Sequence, residues 1–140
     1  MTVVEVTNQQ LEKEFLLLPV NLYQSEKHWI RPLDKDINAV FDPKKNKAFQ
    51  QGECIRWILV NNRETIGRVA AFVNQKTATK GNDQPTGGIG FFDCIHDQKA
   101  AFMLFDQCKE WLQQRGMEAM DGPINFGGRD RWWGLLIEGF

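Results

Sequence analysis

GGIGFFDCIHDQKAAFMLFDQCKEWLQQRGMEAM, Gly87 to Met120, is the stretch that decides the fold. Gly87 to Ile95 reads as a strand, and Gly88 and Gly90 inside it indicate a bulge or a close backbone approach. Asp97 is suited to cap a helix running from Gln98 to Arg115. Ala101, Leu104, Phe105, Cys108, Trp111 and Leu112 recur at helical spacing and mark its buried stripe. Gly116 fits the left-handed residue that closes a helix. Met117 to Met120 then reads as a further strand leading into the Gly122-Pro123 turn. A strand–helix–strand unit within one sheet is nearly always right-handed, so these two strands should run parallel.

Upstream, Cys54 to Val60 and Thr65 to Val73 are apolar and β-rich, with Asn61-Asn62-Arg63-Glu64 between them. That pattern predicts an antiparallel hairpin. The polar segment Asn74 to Thr86 is expected to be a loop. At the start, Thr2 to Val6 is β-branched and reads as a short strand. Thr7 and Gln10 form a capping-box pattern. Leu11, Phe15, Leu18 and Leu22 follow at helical spacing, and Pro19 among them predicts a kink or a break. Trp29 to Pro32 is a connector, and Leu33 to Phe41 a short helix stopped before Pro43. The resulting order is β-α-α-β-β-β-α-β, an α/β (α+β) class with one mixed sheet and helices on its faces. Residues 1–125 are expected to form the domain, and 126–140 a separate apolar segment.

Composition sets limits on function. The 140 residues are 42% hydrophobic and 25% charged, with 17 basic against 18 acidic side chains. Such balance argues against a general nucleic-acid or anionic-membrane binder. Lys44, Lys45 and Lys47 read as a solvated loop. No apolar run approaches the ~20 residues of a membrane span, and Met1 to Glu5 has no signal-peptide character. The 3 cysteines lack Cys-x-x-Cys spacing, so a reduced, cytoplasmic protein with small hydrophobic thiols is expected.

The element order resembles the GNAT superfamily of acyl-CoA N-acyltransferases. It is similar in particular to a GNAT-like family of longer bacterial proteins. The matching words are Phe15-Leu16-Leu17-Leu18-Pro19 with Leu22-Tyr23, Trp29-Ile30-Arg31-Pro32-Leu33, Ile66-Gly67-Arg68-Val69-Ala70-Ala71 and Gly90-Phe91-Phe92-Asp93. Gly122-Pro123-Ile124-Asn125-Phe126 and Gly134-Leu135-Leu136-Ile137-Glu138-Gly139-Phe140 complete the set. The resemblance implies a sheet splayed open between the 87–95 and 117–120 strands, where acetyl-CoA or another acyl-CoA enters. It places the cofactor at Cys94, Ile95, His96 and Lys99, with the pyrophosphate on a glycine-bearing loop at the helix start. Here that loop is His96-Asp97-Gln98-Lys99-Ala100-Ala101, without glycine. An Asp97 N-cap puts negative charge where the pyrophosphate would rest. This chain alone is therefore expected to bind acetyl-CoA weakly.

Acyl transfer to an amine needs a base, and Asp93 and Glu118, on the strands flanking the splay, are the candidates. Either also reads as a solvated or salt-bridged carboxylate. Cys94, His96 and Asp97 lack a fourth partner at ligand spacing, so no metal is expected. Gly127, Gly128, Arg129 and Arg131 form a candidate anion site, a glycine nest beside guanidinium forks; the plain alternative is a loop in which Asp130 pairs with a neighbouring arginine. The run Trp132, Trp133, Leu135, Leu136, Ile137 and Phe140 is expected to pack on a partner. That partner is a second copy of the chain, giving a dimer or other homo-oligomer, or a second half found in longer relatives. Two classes of function follow: an acyl-CoA-dependent N-acyltransferase, or a catalytically silent GNAT-like module serving assembly or ligand positioning.

Overall fold

A computed structural model of the chain describes residues 1–23, 34–46, 52–74 and 86–121. The elements are β1 (Thr2–Glu5), α1 (Gln9–Tyr23), α2 (Asp34–Val40), β2 (Gly52–Asn61), β3 (Glu64–Asn74), β4 (Thr86–Cys94), α3 (Gln98–Gln114) and β5 (Ala119–Asp121). They form one mixed sheet in the order β1-β2-β3-β4-β5. The first four strands are antiparallel neighbours, and β4 and β5 pair in parallel. The expected α+β order and the parallel β4–β5 pair are both present. The predicted connector 29–32, the loop core 75–85, and the whole segment 126–140 with its anion and partner residues lie outside the described residues.

Strand alternation sends side chains to two separate cores. Trp57, Leu59, Val69, Ala71, Val73 and Ile89 meet the α3 stripe of Ala100, Leu104, Cys108, Trp111 and Leu112. On the opposite face Ile58, Ala70 and Phe91 meet Phe15 of α1 and Ile37 of α2. A Cβ at Gly67 would lie 2.8 Å from the Leu104 Cδ1, so glycine lets α3 approach the sheet backbone there.

Two local expectations need correction. The α1 cap is Asn8 rather than Thr7: the Asn8 Oδ1 accepts the Leu11 N–H at 2.9 Å. Of the kink or break expected at Pro19, the break does not occur: α1 continues to Tyr23 with Pro19 buried. The carbonyl that proline leaves without a helical donor is that of Phe15, four residues earlier. It accepts the Arg68 Nη1 at 2.8 Å instead.

The expected irregularity in β4 is a bulge. Arg68 pairs with Asp93 and Ala70 with Gly90, so one β3 residue, Val69, faces both Phe91 and Phe92. An inserted residue reverses the alternation beyond it. Phe91 thereby joins the α1 face, Phe92 returns to the α3 face, and Asp93 emerges on the α1 face opposite Arg68. Phe91 takes φ of 54° to do this, a conformation that costs a side chain about 1 kcal/mol. Its ring lies 5.2 Å from Phe41 and 6.2 Å from Phe15, contacts large enough to hold it.

The β2–β3 turn has Asn62 at φ 50° and Arg63 at φ 67°. Two left-handed central residues make a primed turn, whose twist matches the flanking strands. Asparagine tolerates that conformation better than arginine does. Arg63→Gly is therefore expected to stabilise the protein by about 0.5–1 kcal/mol, read as a rise of a few degrees in Tm. A fall in Tm would contradict this turn geometry.

Candidate functional site

The C-terminal end of α1, the end of β4 and the start of α3 converge on one open cleft. Among the described residues it has a volume of about 680 Å³ and is lined by Leu22, Tyr23, Phe92, Cys94, Ile95, His96, Asp97, Gln98 and Ala101. Three of the four residues expected at a cofactor, Cys94, Ile95 and His96, line it. The fourth, Lys99, is exposed in the first turn of α3 and is not part of the lining.

From the cleft wall inward runs a partly buried polar chain that ties α1, β3 and β4 together. Arg68 is 4% exposed in the middle of the sheet. Its Nε donates to the Asp93 Oδ2 at 3.1 Å, and its Nη2 lies 3.0 Å from the same oxygen. Its Nη1 donates to the Phe15 carbonyl. The guanidinium also lies over the Phe15 ring, 4.8 Å from the centroid, a favourable placement for a desolvated cation. The other Asp93 oxygen, Oδ1, accepts the Tyr23 hydroxyl at 2.7 Å. Burial lowers the Arg68 pKa, and the Asp93 carboxylate opposes that shift. An arginine remains charged at neutral pH in any case.

Asp93 therefore holds an ion pair and a phenol. Glu118 lies elsewhere: it is exposed just before β5, and the following Ala119 pairs with Thr86 at the opposite end of β4. Thr86 and Asp93 are seven residues apart on one strand, roughly 20 Å. The two candidate bases do not share a site.

The start of α3 is self-capped. The Asp97 Oδ1 accepts the backbone N–H of Lys99 at 2.8 Å and of Ala100 at 3.2 Å. The Ala101 N–H goes to the Asp97 carbonyl at 3.1 Å, the Asp97 N–H to Ile95 at 2.7 Å, and the Ile95 N–H to Ile66 at 2.9 Å. A pyrophosphate at a helix start is held by such free N–H groups. Here the Lys99, Ala100 and Ala101 donors are taken by Asp97, and its carboxylate occupies the position that favours an anion. These residues do not fit the pyrophosphate of a CoA.

Burial, with help from the Asp97 and Asp93 carboxylates, raises the Cys94 thiol pKa. It stays protonated at neutral pH and is no thiolate nucleophile. Among the described residues no three metal-ligating side chains come together.

Reading the sequence alone missed Tyr23 and Arg68. One signal was available: Arg68 is the single charge in the apolar run Ile66-Gly67-Arg68-Val69-Ala70-Ala71. A lone charge inside a doubly covered strand needs a buried counter-ion.

Partial burial and the hydrogen bond to Asp93 push the Tyr23 phenol up from 10.0 to about 12. The protonated phenol is thus favoured by folding. Its contribution is fully present below pH 10 and lost as pH rises through about 12. Tyr23 is the chain's only tyrosine, so phenolate absorbance reports it alone. The titration midpoint is expected near 12 in the folded protein and lower in Asp93→Asn. A midpoint at 10 in the folded protein would contradict the Tyr23–Asp93 bond.

No family model matches the chain. It is 27% identical over 140 residues to the bacterial ceramide synthase of Caulobacter vibrioides, across 100% of this chain and 36% of that protein. It is 30% identical over 129 residues to the protein YghO of Escherichia coli, across 91% of this chain and 32% of that protein. The chain thus spans about a third of the length of these curated relatives. Among solved structures, a GNAT-family acetyltransferase of Staphylococcus aureus superposes with a TM-score of 0.59 at 13% identity, covering 88% of this chain and 72% of that one. An aminoglycoside 6′-N-acetyltransferase of Acinetobacter haemolyticus gives 0.59 at 15% identity, covering 87% and 79%. An aminoglycoside N-acetyltransferase solved with CoA gives 0.54 at 12% identity, covering 85% and 75%. The chain has the GNAT-like fold of the acyl-CoA N-acyltransferases.

Proposed function

We propose that this chain is a GNAT-like lobe of an enzyme that transfers an acyl group from a thioester to the amine of a long-chain lipid. The observation that carries the reading is the match along the whole chain to a ceramide synthase, a ceramide being a long-chain base acylated on nitrogen. The cleft supports it chemically. Leu22, Phe92, Ile95 and Ala101 give it apolar walls, with the His96 imidazole among its lining residues.

In such a reaction the amine nitrogen forms a bond to the acyl carbon, and the carbon–sulfur bond breaks. The amine gives up a proton and the leaving thiolate takes one. His96 is the group suited to accept the amine proton, since a neutral imidazole presents one ring nitrogen as an acceptor. Asp93 acts differently, as the anchor that positions Tyr23 on the cleft wall. Tyr23 is a poor acid for the thiolate: a phenol raised to about 12 would have to protonate a thiolate whose own pKa is about 8.5.

The second reading is a silent module that positions a ligand or a partner. The Asp97 cap favours it, because the position that would hold a CoA pyrophosphate is filled by the chain itself.

The test is to mix the purified protein with a long-chain base and a fatty acyl-CoA and to follow the amide by mass spectrometry. The acyltransferase reading predicts amide formation that falls by about 10²-fold or more in His96→Ala. Absence of amide from a protein whose circular dichroism shows it folded would leave the silent module.

A further inference from the structure

We infer that the cleft between α1, β4 and α3 binds the acceptor rather than the thioester donor, as a site for a long-chain primary amine with Asp97 as the partner of its ammonium group. The inference rests on the N-acyltransferase reading only for the identity of the amine as a substrate. Its physical basis is the cleft itself.

The walls supply Leu22, Phe92, Ile95 and Ala101, which suit an alkyl chain. Phe92 is braced from behind by Phe105, the rings stacked with centroids 4.5 Å apart. The charge in the lining is the Asp97 carboxylate, and no lysine or arginine lines the cleft among the described residues. Arg68, the buried charged residue among those described, is neutralised by Asp93 and turned toward the Phe15 carbonyl. Asp97 uses Oδ1 to cap α3; among the described residues its Oδ2 accepts no hydrogen bond, which leaves an oxygen for an ammonium. A diphosphate would meet that carboxylate and the Lys99 and Ala100 N–H groups already bonded to it. A cationic head on an apolar tail meets an opposite charge and a greasy wall.

Asp97→Asn separates charge from structure, since asparagine caps a helix as well as aspartate does. The protein, intact, is titrated by calorimetry with decylamine below its micelle concentration, with decanol and with coenzyme A, while backbone amide shifts locate each ligand. Decylamine is expected to bind and to shift Ile95, Asp97 and Ala101. Decanol and coenzyme A are expected to bind at least about tenfold more weakly, the scale of one charge-assisted hydrogen bond. Asp97→Asn should weaken decylamine by a similar factor with Tm unchanged.

Coenzyme A binding that shifts the Lys99 and Ala100 amides would overturn the assignment. So would decylamine binding that is absent, equalled by decanol or indifferent to Asp97→Asn. The two readings fail separately. Amine binding without amide formation defeats the acyltransferase reading and leaves the site standing. Amide formation with an amine KM unchanged in Asp97→Asn defeats the site alone.

Discussion

The structure turns on one buried guanidinium. Arg68 sits in the central strand of a sheet covered on both faces, where an unpaired charge would cost several kcal/mol. Its donors meet acceptors on two neighbouring elements, the Asp93 carboxylate on β4 and the Phe15 carbonyl on α1. That carbonyl is available because Pro19 has no N–H to offer it. The proline in α1, the arginine in β3 and the bulge in β4 are therefore one arrangement. Without the bulge Asp93 would point to the α3 face and Arg68 would be left buried and unpaired. The positive φ of Phe91 is the local strain by which the bulge is achieved, and the aromatic cluster with Phe15 and Phe41 offsets it.

This arrangement explains which parts of the molecule were legible in the sequence. The helix α3 was legible because its cap, stripe and closing glycine all act within one segment. The β2–β3 hairpin was legible for the same reason. The run of α1 through Pro19 was not, because the compensation for the missing N–H comes from a residue 53 positions away. The bulge announced itself through Gly88 and Gly90, yet its place at Phe91 and Phe92 depends on where Arg68 needs its counter-ion. Asp93 was visible as a carboxylate at a strand end, but its partners Arg68 and Tyr23 come from other elements. The glycine-free turn at Asp97 was fully readable, since an N-cap is a local device.

Function follows from the same anchoring. Tyr23 and Leu22 are held against the end of β4, so α1 forms one wall of the cleft and α3 the other. The fold is that of acyl-CoA N-acyltransferases, while the turn that would take a CoA pyrophosphate is closed by its own aspartate. The chain spans about a third of the length of relatives such as the ceramide synthase.

The most direct test of this account is a double-mutant cycle on Arg68 and Asp93, using Arg68→Met, Asp93→Leu and the pair, with unfolding free energies from urea denaturation. Asp93→Leu leaves a buried guanidinium and Arg68→Met a partly buried carboxylate without its ion-pair partner, so both should be destabilising, and the double variant should be more stable than their sum by on the order of 2–3 kcal/mol. Additive effects, with a coupling near zero, would show that the two side chains do not depend on one another and would contradict the arrangement on which the fold and its cleft are built.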